Sequence, residues 1–152
     1  SARTIIRTRI CISPNMELQV GVKVLLKNRD GKYLLLKRNR DKYLEMPTLD
    51  LWDIVGGRIE IGTPLLENLK REVKEETSLD LLDTPQLIAA QDILRLSSKH
   101  VVRLTYTASI AGEPRLDPRE HVEYRWFTRA GLQELGEELD IYFRELLARG
   151  IV

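Results

Sequence analysis

Gly56-Gly57-Arg58-Ile59-Glu60-Ile61-Gly62-Thr63-Pro64-Leu65-Leu66-Glu67-Asn68-Leu69-Lys70-Arg71-Glu72-Val73-Lys74-Glu75-Glu76-Thr77-Ser78-Leu79 is the stretch on which the reading of this chain turns. A short apolar run, Leu51 to Val55, leads into the two glycines, and a small-residue turn follows. Thr63 before Pro64 marks a helix start: the hydroxyl can accept from an early backbone N–H, and proline at the first helical position loses no needed donor. At about 100° per residue, Leu65, Leu69 and Val73 form one apolar stripe with Leu66 at its flank. Glu76 falls inside that stripe, Glu72 at its edge and Glu75 further round, while Glu67, Lys70 and Lys74 take the solvated face. A carboxylate aimed inward is costly unless it is paired or binds a cation, and clustered acids raise one another's pKa. Three carboxylates at this spacing suit a hard cation, Mg²⁺ or Mn²⁺.

The plain alternative is an exposed helix on which Arg-Glu-x-x-Glu-Glu serves solubility. The glycine turn weighs against it, because glycines let backbone approach a ligand, and strand, Gly-rich turn and helix is a setting that holds phosphate or its metal. Gly57, Arg71-Glu72-Val73, Glu75-Glu76 and Leu79 together resemble the Nudix box: Gly, five residues, Glu, seven residues, Arg-Glu-apolar-x-Glu-Glu-x-Gly-apolar. Three positions depart from that pattern: Thr63 stands in place of the first glutamate, Ser78 in place of the glycine, and Val55 in place of the proline usual before the glycines. In the family the acid at Thr63 helps to support the helix and its arginine.

The resemblance implies an α/β fold, a Nudix-type α/β/α sandwich with a mixed β-sheet, and a hydrolase of nucleoside diphosphates linked to another moiety. It implies that Glu75, Glu76 and the Gly57 carbonyl hold the metal, that Glu72 ligates it or takes the proton from water, and that Arg71 keeps the glutamates in register. Downstream, Glu120-His121-Val122-Glu123-Tyr124-Arg125-Trp126 is similar to the family's Glu-His-x-Glu-Tyr-x-Trp, which implies Glu120 as a further metal ligand or base. The proline that ADP-ribose members carry past the box has no counterpart, Leu94 and Arg95 standing there, so nucleoside triphosphates, oxidised ones included, are the preferred class, giving monophosphate and pyrophosphate. The alternative from another class is a Nudix-like module that binds a nucleotide or protein without cleaving it, favoured by Thr63 and Ser78.

Outward from the box, the strands read by alternation. Leu18, Val20, Val22, Val24 and Leu26 face one way; Asn28-Arg29-Asp30-Gly31 is a turn; Tyr33 to Leu36 is a second strand. Residues 37–50 form a polar loop in which Arg38, Arg40 and Lys42 could meet substrate phosphates and Tyr43 or Met46 a base, whereas Trp52 reads as core. Leu87 to Leu96 and Val101 to Ile110 form a hairpin, the second strand setting Val102, Leu104, Tyr106 and Ala108 against Arg103, Thr105 and Thr107, one face core and the other a pocket floor. Val122, Tyr124 and Trp126 alternate into the core of a further strand. Helices over 130–135 and 139–149 close the chain, with Leu139, Tyr142, Phe143, Leu146 and Leu147 as a packing stripe.

The 152 residues, 43% hydrophobic and 31% charged, make one domain, 1–152, with residues 1–15 as an N-terminal arm or edge strand able to pair across a homodimer. A net charge of +1 gives no electrostatic case for a nucleic-acid or membrane surface. The single Cys11 reads as a small buried hydrophobe, and with no long apolar run or signal-like segment the expectation is a cytoplasmic protein whose partner is a small nucleotide. His100 and His121 lack metal-ligand spacing and are expected on the surface.

Overall fold

The computed structural model describes residues 15–43, without the Tyr43 side chain, and residues 49–152. The expectations for Cys11, the 1–15 arm, Met46 and the Tyr43 ring lie outside the described residues. Among the described residues, seven strands and three α-helices follow one another as β1 (Glu17–Lys27), β2 (Tyr33–Arg38), β3 (Trp52–Asp53), β4 (Val55–Arg58), α1 (Leu65–Thr77), β5 (Gln86–Leu96), β6 (Lys99–Ser109), β7 (His121–Phe127), α2 (Arg129–Glu134) and α3 (Ile141–Ala148). The apolar run expected over 51–55 is split between β3 and β4. A short 3-10 turn, Arg40–Tyr43, follows β2, and another, Gly136–Glu138, separates the last two helices.

β1 is the spine. Along one edge it pairs in parallel with the whole of β6, from Glu17 opposite Lys99 to Lys27 opposite Ser109, and β5 adds antiparallel outside. Its other edge is divided: β2 takes only Leu26 and Lys27, and β4 takes Gly21 to Val24. β2 then leaves with β3 and β7 on its own two edges. The sheet is therefore forked, and the fork opens toward the N-terminal half of β1.

Alternation sends successive β1 residues to opposite faces, and both faces are covered. Val22, Val24 and Leu26 pack with Leu34, Leu36, Val55 and Tyr106 beneath Leu69 and Val73 of α1. Leu25 and Leu35 pack on the other face with Trp52, Ile54 and Phe127 beneath Leu132, Phe143 and Leu146. Burying each such side chain contributes about 1.5–3 kcal/mol. Helices thus lie on both faces of a mixed sheet, the expected sandwich, and Trp52 is core as expected, edge-on to Phe127 at 5.4 Å.

Two strand patterns end differently from their sequence reading. Leu18, expected inward, is exposed where β1 runs beyond the cover of α1. Val122 is also exposed, and its neighbour His121 is buried instead. The cause is a register shift between Lys37 and Arg38: Lys37 pairs with Glu123 but Arg38 with His121, so one residue of β7 is skipped. No helix among the described residues is long and apolar enough to cross a membrane.

Candidate active site

The sequence around α1 explains its placement. Pro64 precedes the first turn, but Thr63 does not supply the expected cap: the N-terminal residue has no side-chain cap bond. Asn68, fully buried, instead anchors the loop that precedes the helix. Its amide donates to the carbonyls of Thr63 and Pro64 at 2.8 and 2.9 Å, and its Oδ1 accepts from the Glu60 N–H at 2.9 Å. The loop between β4 and α1 is thereby tied to the helix. At the far end Ser78 adopts φ 62°, the left-handed conformation that closes many helices and that glycine adopts without strain.

β4 and α1 face each other across the two glycines. Gly56 has φ +146°, and a Cβ there would run into the Val22 carbonyl of β1, so only glycine fits. At Gly57 a Cβ would lie 2.7 Å from Glu72 Oε1, so the missing side chain is the space in which the Glu72 carboxylate rests. The Gly56 N–H donates to Glu76 Oε2 at 2.8 Å. Glu72 and Glu76 are thus held against the β4 backbone, their side chains 11% and 15% exposed, while Glu75 is 57% exposed and turned outward.

Arg71, which the resemblance implies keeps the glutamates in register, sits among them. Its guanidinium lies 3.0 Å from Glu72 and 3.4 Å from Glu75, and donates to the Arg58 carbonyl at 3.2 Å. With threonine at position 63, the support falls to Glu60, 3.6 Å from Arg71 Nε, and to Asn68 Oδ1, which accepts from Arg71 at 3.1 Å.

Burial sets the electrostatics. It pushes the Glu76 carboxyl up to about 8, although Lys23 and the Gly56 N–H favour the charged form. It raises Glu72 as well, opposed by Arg71. His121, expected on the surface, stands with Nε2 4.0 Å from Glu76 Oε1, and burial next to Lys23 lowers its pKa to about 4, so the imidazole is neutral. Its Nδ1 is buried without a hydrogen-bond partner.

These groups line one end of a cavity of about 780 Å³, whose other walls include Gln19, Arg58, Arg95, Lys99 and Tyr142. Its floor is a buried ion network. Asp53 lies 3.1 Å from Lys23, 2.5 Å from Arg38 and 3.0 Å from Arg103; Asp140 lies 2.9 Å from Arg38 and 3.1 Å from Arg103. Burial would raise Asp53, but the three cations outweigh it and hold the carboxyl well below the usual range. Arg38, expected at substrate phosphates, is thus engaged by protein carboxylates and also donates to the Asp50 carbonyl at 3.0 Å. Arg40 is exposed and is not among the residues lining the cavity. Glu120 does line it, at the entrance of β7, in an ion pair with Lys42.

Sequence reasoning missed His121, Asn68 and the floor network. Lys23, in the apolar second half of β1, was the available signal; Arg103 was read on the face that floors a pocket, but the acids it meets there were not.

The donor set suits a hard divalent cation: glutamate oxygens and backbone carbonyls, with a buried carboxyl at Glu76 that lacks a cation at hydrogen-bonding distance. Among the described residues no three His, Cys, Asp or Glu side chains are already gathered at metal-binding geometry. Glu75 and Glu120 line the same cavity but are paired with Arg71 and Lys42.

Comparison with known proteins agrees with this geometry. The MutT protein of Methanosarcina mazei Go1 superposes with a TM-score of 0.74 at 28% identity, over 90% of this chain and 95% of its own. A MutT NUDIX hydrolase from Burkholderia pseudomallei gives 0.69 at 28% identity, over 87% and 97%. A NUDIX hydrolase from Nitrosomonas europaea, at 19% identity and a TM-score of 0.66 over 88% and 87%, shares the fold. No curated relative matches the chain. The NUDIX domain model matches residues 17–147, from the first residue of β1 to the penultimate residue of α3, and with it the glutamates held against the glycine turn acquire their context: the chain belongs to the NUDIX family and is a Nudix hydrolase.

Proposed function

We propose that this Nudix hydrolase uses Mg²⁺ or Mn²⁺ to cleave a phosphoanhydride of a nucleoside diphosphate-linked substrate, with nucleoside triphosphates, oxidised ones included, as the preferred class and monophosphate and pyrophosphate as products. The observation that carries the reading is the pair Glu72 and Glu76, buried against Gly56 and Gly57 at one end of a cavity large enough for a nucleotide. Glu72, Glu75, Glu76 and Glu120, with the Gly57 backbone carbonyl, would hold the cation. When bound, it would neutralise phosphate oxygens and orient the attacking water.

The chain's own residues do the rest. Arg71 fixes Glu72 through a charge-assisted contact, leaving that carboxylate aimed into the cavity to accept the proton of water. Arg58, Arg95 and Lys99 on the cavity wall offer positive charge to the phosphate chain. The Gly56 N–H fixes the orientation of Glu76 by donating to it, and the neutral His121 closes the other side of the carboxyl at 4.0 Å without a hydrogen bond. The single cysteine and the net charge of +1 favour a cytoplasmic site of action on small nucleotides.

The test is product identification from a panel of nucleotides with Mg²⁺. Glu76→Gln is expected to lower turnover at least 10²-fold while leaving the fold intact, and an unchanged rate would remove Glu76 from the mechanism.

A further inference from the structure

Lys23 lies in the interior of β1, opposite Gly56 in the ladder, and its chain runs beneath the glycine turn. An ammonium has three donors. Here three protein oxygens meet it: Asp53 Oδ2 at 3.1 Å, the Ile54 carbonyl at 3.2 Å and the Gly56 carbonyl at 3.3 Å. The hollow offers two carbonyls and one carboxylate, the latter shared with Arg38 at 2.5 Å and Arg103 at 3.0 Å, an all-oxygen donor set of the kind a hard cation takes. Gly56 links it to the acids, giving its carbonyl to Lys23 and its N–H to Glu76. The Lys23 charge also bears on both Glu72 and Glu76. With its donors spent on protein oxygens and its side chain 16% exposed, Lys23 is poorly placed to reach for a substrate phosphate.

We propose that the Lys23 ammonium is a tethered stand-in for a divalent cation, filling the carbonyl side of the acidic site so that the nucleotide-free protein binds a single divalent ion at Glu72 and Glu76. The inference rests on the metal-dependent reading above and adds to it a fixed stoichiometry set by this chain's own residue. Lys23 is a positioning residue in this account: it sets where, and how many, ions are held. Replacing it with a neutral side chain leaves Asp53, Ile54 and Gly56 oxygens facing a vacated hollow beside two acids, and a second divalent ion enters.

The test is a Mn²⁺ titration of the full chain without nucleotide, free Mn²⁺ being read by its electron paramagnetic resonance signal and folding by circular dichroism. The wild type is expected to bind one Mn²⁺, Lys23→Met and Lys23→Gln two, and Lys23→Arg one. A wild-type count of two or more overturns the proposal whatever the variants do. Equal counts in wild type and both neutral variants overturn it too, and would return Lys23 to a structural part in the ion network. A wild type that binds no Mn²⁺ at all is a different failure, removing the metal-dependent reading itself.

Discussion

Glu76 makes the chain's stability depend on pH in a direction opposite to that of an ordinary surface carboxylate. Burial raises its pKa from 4.5 to about 8, so in the metal-free fold the group is protonated near neutrality while in the unfolded chain it is ionised. Between those two values the native state holds a proton that the unfolded state has released. The Glu76 contribution to stability is therefore full below about pH 4.5, falls as pH rises, and levels off above about 8. A carboxyl displaced this far corresponds to about 5 kcal/mol at 1.36 kcal/mol per decade; water reaching the open cavity screens part of it, leaving about 2–3 kcal/mol. Glu76→Gln isolates the effect, since the amide mimics the neutral acid and its oxygen can still accept from the Gly56 N–H. It also cancels the opposing contribution of His121, whose lowered pKa adds stability as pH rises from about 4 to 6.5 in both proteins. Urea unfolding in EDTA from pH 5 to 9 should show the wild type losing about 2–3 kcal/mol relative to Glu76→Gln, and Mg²⁺ at pH 9 should restore the wild type alone. Parallel pH profiles for the two proteins would refute the assignment of a buried, proton-holding Glu76.

Two further substitutions probe the frame around the site. Arg103→Met leaves the fully buried Asp53 and Asp140 each short of a cation, and thermal unfolding should report a loss of about 3–5 kcal/mol; a loss under 1 kcal/mol would mean that Lys23 and Arg38 suffice. Ser78→Gly relieves a left-handed residue at the end of α1 and should raise stability by about 1 kcal/mol in a chemical melt, with the Ser78 hydroxyl's long 3.4 Å contact to the Arg115 carbonyl a small loss against it. A destabilised glycine variant would show that this contact outweighs the strain.

The helix of the site was legible because its determinants are local. Leu69 and Val73 mark the buried face, and Glu72 and Glu76 share it, as the periodicity required. The alternation in β6 likewise put Arg103 on the face that floors the cavity. What stayed hidden was non-local. Asp53 meets cations from three different strands, and no spacing along the chain encodes such a meeting. His121 was misplaced for a similar reason: simple alternation holds only while the register does, and the irregularity opposite Lys37 and Arg38 turns it inward. Arg38 shows the limit of reading charge as ligand contact, since a basic residue near a box can as readily neutralise the protein's own acids, and Arg40 is exposed outside the cavity.

The parallel ladder between β1 and β6 has a consequence for how the molecule is made. Its partners lie about 80 residues apart, and the Lys23 and Arg103 side chains reach Asp53 from its two strands, so native-like active centres must await one of the most distant closures in the chain. A ribosome-bound nascent chain lacking β6 would carry the complete glutamate helix and yet no cavity floor to set it against. Catalytic competence should therefore emerge only once β1 and β6 have paired, instead of growing from the Nudix motif outward.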